Sequence, residues 1–423
     1  MNFKNIDKKY LIILLSLLFS AIFSFFTNIY LARFLGPYNF GIFSGSIALA
    51  VFFGGISLLG LDGFLQNIFG EEKNHASQWV HTSYSLILIS LSFCFFFMLL
   101  WSYVGPHNSL TAKLIIFFSF LMIGQAIWDF VKTIYQINGS YIKLSAYQLY
   151  PNLLRFVFIL YLYFFDPMLN LVDIAIVFTV INLSIITFSI PILQNFKKEK
   201  IKIFSIKNNN KFEENQKISI SKLLEKSKNF IQGKIFFLIY FYMDIILIKY
   251  LVGDLKLGYF NAAYILILGS LLLTDAYLKS YSFKYFYYSK NKFLQFKRIF
   301  ERGNIFFITT SILIMILLIF FSKTIILVFF GEKYFESINL LIILSFIIPF
   351  RFLFTNFVMA LRTFNYASYE AKNLKIILLV KFFFSILMIL KFGVIGAAIS
   401  SVVCEAILFL MCYYYVKKLV FKF

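Results

Sequence analysis

The chain has 423 residues, of which 61% are hydrophobic and 14% charged; a soluble domain carries about 25% charged residues, so an ordinary soluble protein is excluded. Apolar runs of about twenty residues recur from end to end, each long enough to cross a hydrocarbon core of roughly 30 Å as a helix, and they define an all-α polytopic membrane protein. The formal net charge of +21 does not point to nucleic acid, because the lysines sit between apolar runs rather than among reading groups on a water-facing surface.

In chain order, Lys4, Lys8 and Lys9 precede an apolar run of full spanning length without a small-x-small cleavage site, which is expected to stay as the first helix. Spans are predicted at 10–32, 41–64, 79–104, 111–135, 146–166, 169–195, 229–252, 258–284, 303–329, 336–361, 372–392 and 394–416, twelve in all. Lysine and arginine collect in alternate loops, as at Lys197, Lys198, Lys200 and Lys202, at Lys290, Lys292, Lys297 and Arg298, and at Lys417 and Lys418. The opposite loops hold only scattered residues such as Arg33, Lys113, Lys256 and Lys333. By the positive-inside rule both termini are expected in the cytoplasm. The polar stretch 196–228, with Asn208, Asn209 and Asn210, reads as a basic cytoplasmic linker between a first lobe at 1–195 and a second at 229–423, each of six helices.

An internal repeat supports this division. The segment 31–49 lies on 248–266 without a gap, pairing Gly36 with Gly253, Gly41 with Gly258, Phe43 with Phe260 and Leu49 with Leu266. Six helices separate the copies, so both have one orientation, and the halves are expected to be related by an axis along the membrane normal.

The segment Leu31-Ala32-Arg33-Phe34-Leu35-Gly36-Pro37, followed by Phe40-Gly41, resembles the first hairpin of the polysaccharide-exporter family that includes the Wzx-type O-antigen flippases. Asp244 with Gly253, Gly258 and Tyr259 is similar to that family's second-lobe hairpin. Phe330-Gly331-Glu332-Lys333-Tyr334 is similar to its loop before helix ten, and Gly393-Val394-Ile395-Gly396-Ala397-Ala398 to its start of helix twelve. The resemblance covers nearly the whole chain. It implies the multidrug/oligosaccharidyl-lipid/polysaccharide (MOP) superfamily, a V-shaped transporter of two lobes that alternates access, and undecaprenyl-diphosphate-linked oligosaccharides as substrate. Membrane lipid and other membrane proteins of polysaccharide assembly are the partners it implies.

Charges inside spans cost at least about 2.5 to 3.5 kcal/mol each and normally face a cavity or a partner. Arg155, Arg351, Lys381 and Lys234 are therefore candidates to hold a diphosphate headgroup, and Asn28, beside the hydroxyl stripe Ser16, Ser20, Ser24 and Thr27, is a candidate for its sugar. The plain reading of Lys381 is an ion pair with Glu405, that of Lys234 is snorkelling, and that of the stripe is close helix packing. Asp244 and Glu405 are candidates for a coupling ion. Pro151 and Pro349 put a kink near each arginine.

No catalytic constellation, phosphate-binding glycine loop or metal spacing is present: His75, His81 and His107 are scattered, and Cys94, Cys404 and Cys412 lie in apolar runs. No cofactor is expected. The alternatives are a cation-coupled drug antiporter of the same superfamily, a lipid II flippase, or a membrane enzyme of glycan assembly, which the short external loops disfavour.

Overall fold

A computed structural model describes residues 3–71, 78–165, 170–197 and 218–421. Among them the order is α1 (Phe3–Ser57), α2 (Leu61–Glu71), α3 (Gln78–Val104), α4 (Ser109–Ile137), α5 (Tyr141–Phe165), α6 (Leu171–Lys197) and α7 (Ile220–Leu251). There follow α8 (Asp254–Asn291), α9 (Phe293–Phe320), α10 (Ser322–Phe329), a 3-10 turn (Glu332–Tyr334), α11 (Ser337–Ser345), α12 (Ile347–Thr363), α13 (Ala367–Tyr415) and a π turn (Val416–Val420). No strand occurs among the described residues.

Nine stretches of the described residues are long and apolar enough to cross a membrane. Two of them, Leu15–Ser57 and Ser368–Val420, are 43 and 53 residues long, about twice what a bilayer needs. Each is broken by a glycine with non-helical dihedrals: Gly36 (φ 70°, ψ 170°) in α1 and Gly393 (φ 59°, ψ −138°) in α13. At positive φ a side chain would be strained, which is why both breaks fall on glycine. In α13 the break reverses the chain, since a Cβ on Gly396 would stand 1.9 Å from the Met388 carbonyl oxygen, whereas eight residues of straight helix span about 12 Å. Ser385 and Ser400 accordingly meet at 3.0 Å. With α5, whose Gln148, Asn152 and Arg155 dilute its hydropathy, the described residues supply the twelve spans expected.

The expected boundaries shift where polar helix formers continue a turn beyond the oil. α7 begins at Ile220, ahead of the span predicted from 229, because Leu223 and Ser227 bury one face while Lys222 and Glu225 stay outside. The rest of the linker, 198–217, lies outside the described residues. The break near Pro349 falls at Phe346, between α11 and α12, whereas α5 carries Pro151 within one helix. Outward faces are apolar, with Phe93 71% and Phe320 81% exposed, as lipid-facing residues must be.

The chain divides into two compact units: Met1–Ser24 with Ser46–Leu238, and Phe25–Gly45 with Ile239–Phe423. The first is organised on α4, which packs on α6, α3 and α5. Gly124 lets α4 approach α6 so closely that a Cβ would stand 2.4 Å from the Asn182 carbonyl oxygen. The serine stripe is spent on packing here: Ser20 accepts from Asn152 Nδ2 at 2.7 Å and donates to the Gln148 carbonyl at 3.2 Å, and Ser16 and Ser20 are buried.

In the second unit α12 packs on α13, α9 and α8, and the two repeat copies meet within it. A Cβ on Gly41 would lie 1.8 Å from the Asp254 oxygen, and one on Gly258 would lie 1.9 Å from the Pro37 oxygen. Because the repeat equates Gly41 with Gly258 and Pro37 with Asp254, these contacts are reciprocal, as across a local two-fold axis. Ser44 and Asn261, also repeat equivalents, join each other at 2.7 Å. The third motif closes the knot: Tyr334 donates to the Ala32 carbonyl at 2.7 Å and packs against Phe40 and Tyr259, while Arg33 donates to the Val328 carbonyl at 3.1 Å.

Candidate functional site

Inside the second unit, five helical segments each turn polar side chains to one small pocket. On α7, Tyr240 and Asp244 are four residues apart and share a face; on the second half of α13, Ser401 and Glu405 do the same. Arg351 comes from α12, Lys381 from the first half of α13 and Tyr264 from α8. The Gly393 reversal sets Lys381 and Ser401 side by side, so one turn of the chain builds half the site.

The charges are resolved into two ion pairs. Lys381 Nζ lies 2.8 Å from Asp244 Oδ2 and donates to the Tyr240 carbonyl at 2.9 Å, with the Tyr240 ring centre 4.1 Å away. Ser401 donates to the same Asp244 oxygen at 2.8 Å. Arg351 reaches both Glu405 oxygens, at 3.0 and 3.3 Å, and the Tyr240 hydroxyl donates to Glu405 Oε1 at 3.0 Å. Lys381 is 3% exposed and Asp244 5%. A lone charge so placed would carry the full desolvation penalty, and pairing offsets it. Asp244 Oδ1 is the exception: it is buried and has no hydrogen-bond partner.

The cluster therefore balances two acids with two bases and is neutral, not positively charged. The plain pairing expected from the sequence, Lys381 with Glu405, is replaced by Lys381 with Asp244 and Arg351 with Glu405. The two carboxylates read as sites for a coupling ion each hold a side-chain cation. Lys234 stands elsewhere, in the first unit, where its Nζ lies 3.2 Å from Asp62 Oδ2 with both side chains partly exposed. Asn28 is half-buried on α1 and does not line the pocket.

Arg155 is different in kind. It is half-buried on α5 in the first unit, its guanidinium 5.3 Å from the centre of the Phe178 ring, and its Nε is buried without a hydrogen-bond partner. Among the described residues no carboxylate pairs with it. A ring face gives a guanidinium about 0.5 to 2 kcal/mol, less than a buried counter-ion would.

Residues 6–273 match the family described as polysaccharide biosynthesis protein. The chain belongs to that family. None of the curated proteins compared matches it, but solved structures do. The fold of this polysaccharide biosynthesis protein is similar to that of the lipid II flippase MurJ in an inward closed conformation, with TM-score 0.67 and 19% identity over 96% of this chain and 87% of that one. It is equally similar to an inward-facing multidrug resistance MATE family transporter of the MOP superfamily, with TM-score 0.67 and 13% identity over 94% and 93% of the two chains. A eukaryotic MATE transporter gives 0.66 and 15% over 100% and 98%. The protein thus has the all-α multi-pass fold of the MOP superfamily that its hairpin motifs resemble.

Tyr240 and Ser401 escaped the sequence reading although both complete the cluster. The spacing was available: each stands four residues before a carboxylate inside an apolar run, at Asp244 and at Glu405. Which cation each carboxylate holds was not, because the partners lie on different helices.

Proposed function

We propose that this family member is a flippase, not an enzyme, which moves undecaprenyl-diphosphate-linked oligosaccharide repeat units across the bacterial cytoplasmic membrane by alternating access, for O-antigen or another surface polysaccharide. Both termini are cytoplasmic in this reading. The observation that carries it is Arg155, a guanidinium within a spanning helix whose Nε is buried and unpartnered. An always-charged group held there in want of a counter-ion is suited to a phosphate-bearing headgroup, which guanidinium binds through charge-assisted, often bidentate hydrogen bonds. The family supports the polysaccharide, and the paired state of Asp244 and Glu405 argues against a drug antiporter, which would offer an uncompensated carboxylate to an organic cation.

Deleting the gene in a strain without a paralogue should abolish surface glycan while lipid-linked units accumulate inside, and plasmid-borne wild type should restore display. Normal glycan on the surface of the deletion strain would overturn the proposal. Accumulation of lipid II, with cell-wall failure, would transfer the assignment to peptidoglycan precursor transport.

A further inference from the structure

The ring that faces Arg155 is fixed from several sides. Phe178 is 3% exposed on α6. Asn182 Nδ2 donates to the Phe178 carbonyl at 3.1 Å, and the next residue, Thr179, donates through Oγ1 to the Phe117 carbonyl of α4 at 3.2 Å. One turn further along α6, Gly124 lets α4 approach the Asn182 backbone. The Arg155 guanidinium lies over this anchored ring, 5.3 Å from its centre. A ring face attracts a cation through its quadrupole, whereas the five N–H donors of a guanidinium lie in its own plane. A contact of that kind orders the charge and needs none of its donors. Arg351 supplies the contrast. It too has a ring, Phe354 at 5.4 Å, but Glu405 occupies its Nη1 with both oxygens. A carboxylate satisfies an arginine; a ring face alone leaves it able to bind.

We infer that Phe178 is a positioning residue for Arg155: its buried ring face orders the guanidinium while leaving the donors unspent for the oxygens of a diphosphate. An arginine side chain loses rotamer freedom when it grips a ligand, and one ordered beforehand loses less, so the ring strengthens binding without touching the substrate. No carboxylate has to be displaced when the diphosphate arrives. The consequence for transport rests on the flippase reading; the contact between ring and guanidinium does not.

The test keeps the shape of the ring and drains its charge. Phenylalanines with one, two, three and five ring fluorines replace Phe178 in the full-length chain; each fluorine weakens the attraction of the ring face for a cation and leaves a ring of nearly the same size. Each protein is melted in nanodiscs, and in liposomes bearing lipid-linked oligosaccharide on one leaflet its transfer is followed against substrate concentration. With Arg155 present, the melting temperature should fall stepwise, by about one to three degrees at the last member. The apparent KM should rise stepwise with it, by about two- to thirtyfold, with kcat little changed. On an Arg155→Ala background the same fluorines should produce no fall in melting temperature, as a pairwise contact requires. The same series at Phe354 should leave KM unchanged, because Glu405 holds Arg351. A KM indifferent to fluorination at position 178, an equal rise from fluorination at position 354, or a melting trend that persists without Arg155 would overturn the inference. If Arg155→Ala abolishes transfer while the fluorine series is silent, the inference fails alone and the diphosphate reading of Arg155 stands. If Arg155→Ala transfers normally, that reading fails and the role of Phe178 in transport fails with it, whatever the melting curves show.

Discussion

Two arginines that look alike in sequence, each close to a proline in an apolar span, occupy opposite electrostatic situations. Arg351 in the second unit is bound to Glu405 within a neutral cluster, whereas Arg155 in the first unit has a buried Nε without a partner and only the Phe178 ring against its guanidinium. The difference teaches that an intramembrane cation is not by itself a binding group. Arg351 has its counter-ion in the fold; the counter-ion of Arg155 has to come from elsewhere. Stability and function should therefore separate between the two positions.

The largest effect sharpens that contrast from the second unit. Arg351→Ala leaves Glu405 buried and uncompensated, and should lower the unfolding free energy by about 3 to 5 kcal/mol; adding Glu405→Gln should restore most of it, measured by thermal or denaturant unfolding in detergent. Equal instability of single and double variants would show that Arg351 acts through packing and not through its charge.

The next effect concerns the repeat crossing, beside which the buried Lys249 is paired with Asp254 at 2.7 Å. Gly258→Ala places a methyl 1.9 Å from the Pro37 oxygen, a backbone atom with little freedom to retreat, and should destabilise by about 1 to 3 kcal/mol. Gly233→Ala, at a half-buried position of α7 where a Cβ meets nothing within 4 Å, is the control and should stabilise by up to about 1 kcal/mol. Similar losses at both positions would refute the close crossing.

The smallest change in stability is expected at Arg155. Removing a charge that lacks a partner takes away a desolvation penalty and little else, so Arg155→Ala should melt at or slightly above wild type. A loss comparable to that of Arg351→Ala would reveal a counter-ion within the protein and erase the distinction.

Much of the fold was readable because it depends on apolar length and on glycine. The twelve spans follow from hydropathy, and the equivalence of Gly41 with Gly258 marks a contact that the structure makes reciprocal. What sequence could not supply was the crossing itself, since a repeat shows likeness and not contact. The charged site divides similarly. Asp244, Arg351, Lys381 and Glu405 stand out individually because a charge in a span is costly. Their pairing depends on the Gly393 reversal and on the angle between α7 and α13, which no local pattern encodes. Tyr240 was hidden among the other aromatic residues of an apolar run, where its hydroxyl and carbonyl gave no separate signal.

The central claim, that Arg155 receives the diphosphate of a translocating lipid-linked sugar, is tested most directly by reconstituting wild type and Arg155→Ala into liposomes carrying lipid-linked oligosaccharide on one leaflet, and following its arrival on the other. The account predicts transfer by wild type and a rate lower by about ten- to a hundredfold for the variant, the loss of one charged hydrogen-bonding group, at equal amounts of folded protein. Undiminished transfer by Arg155→Ala would contradict it.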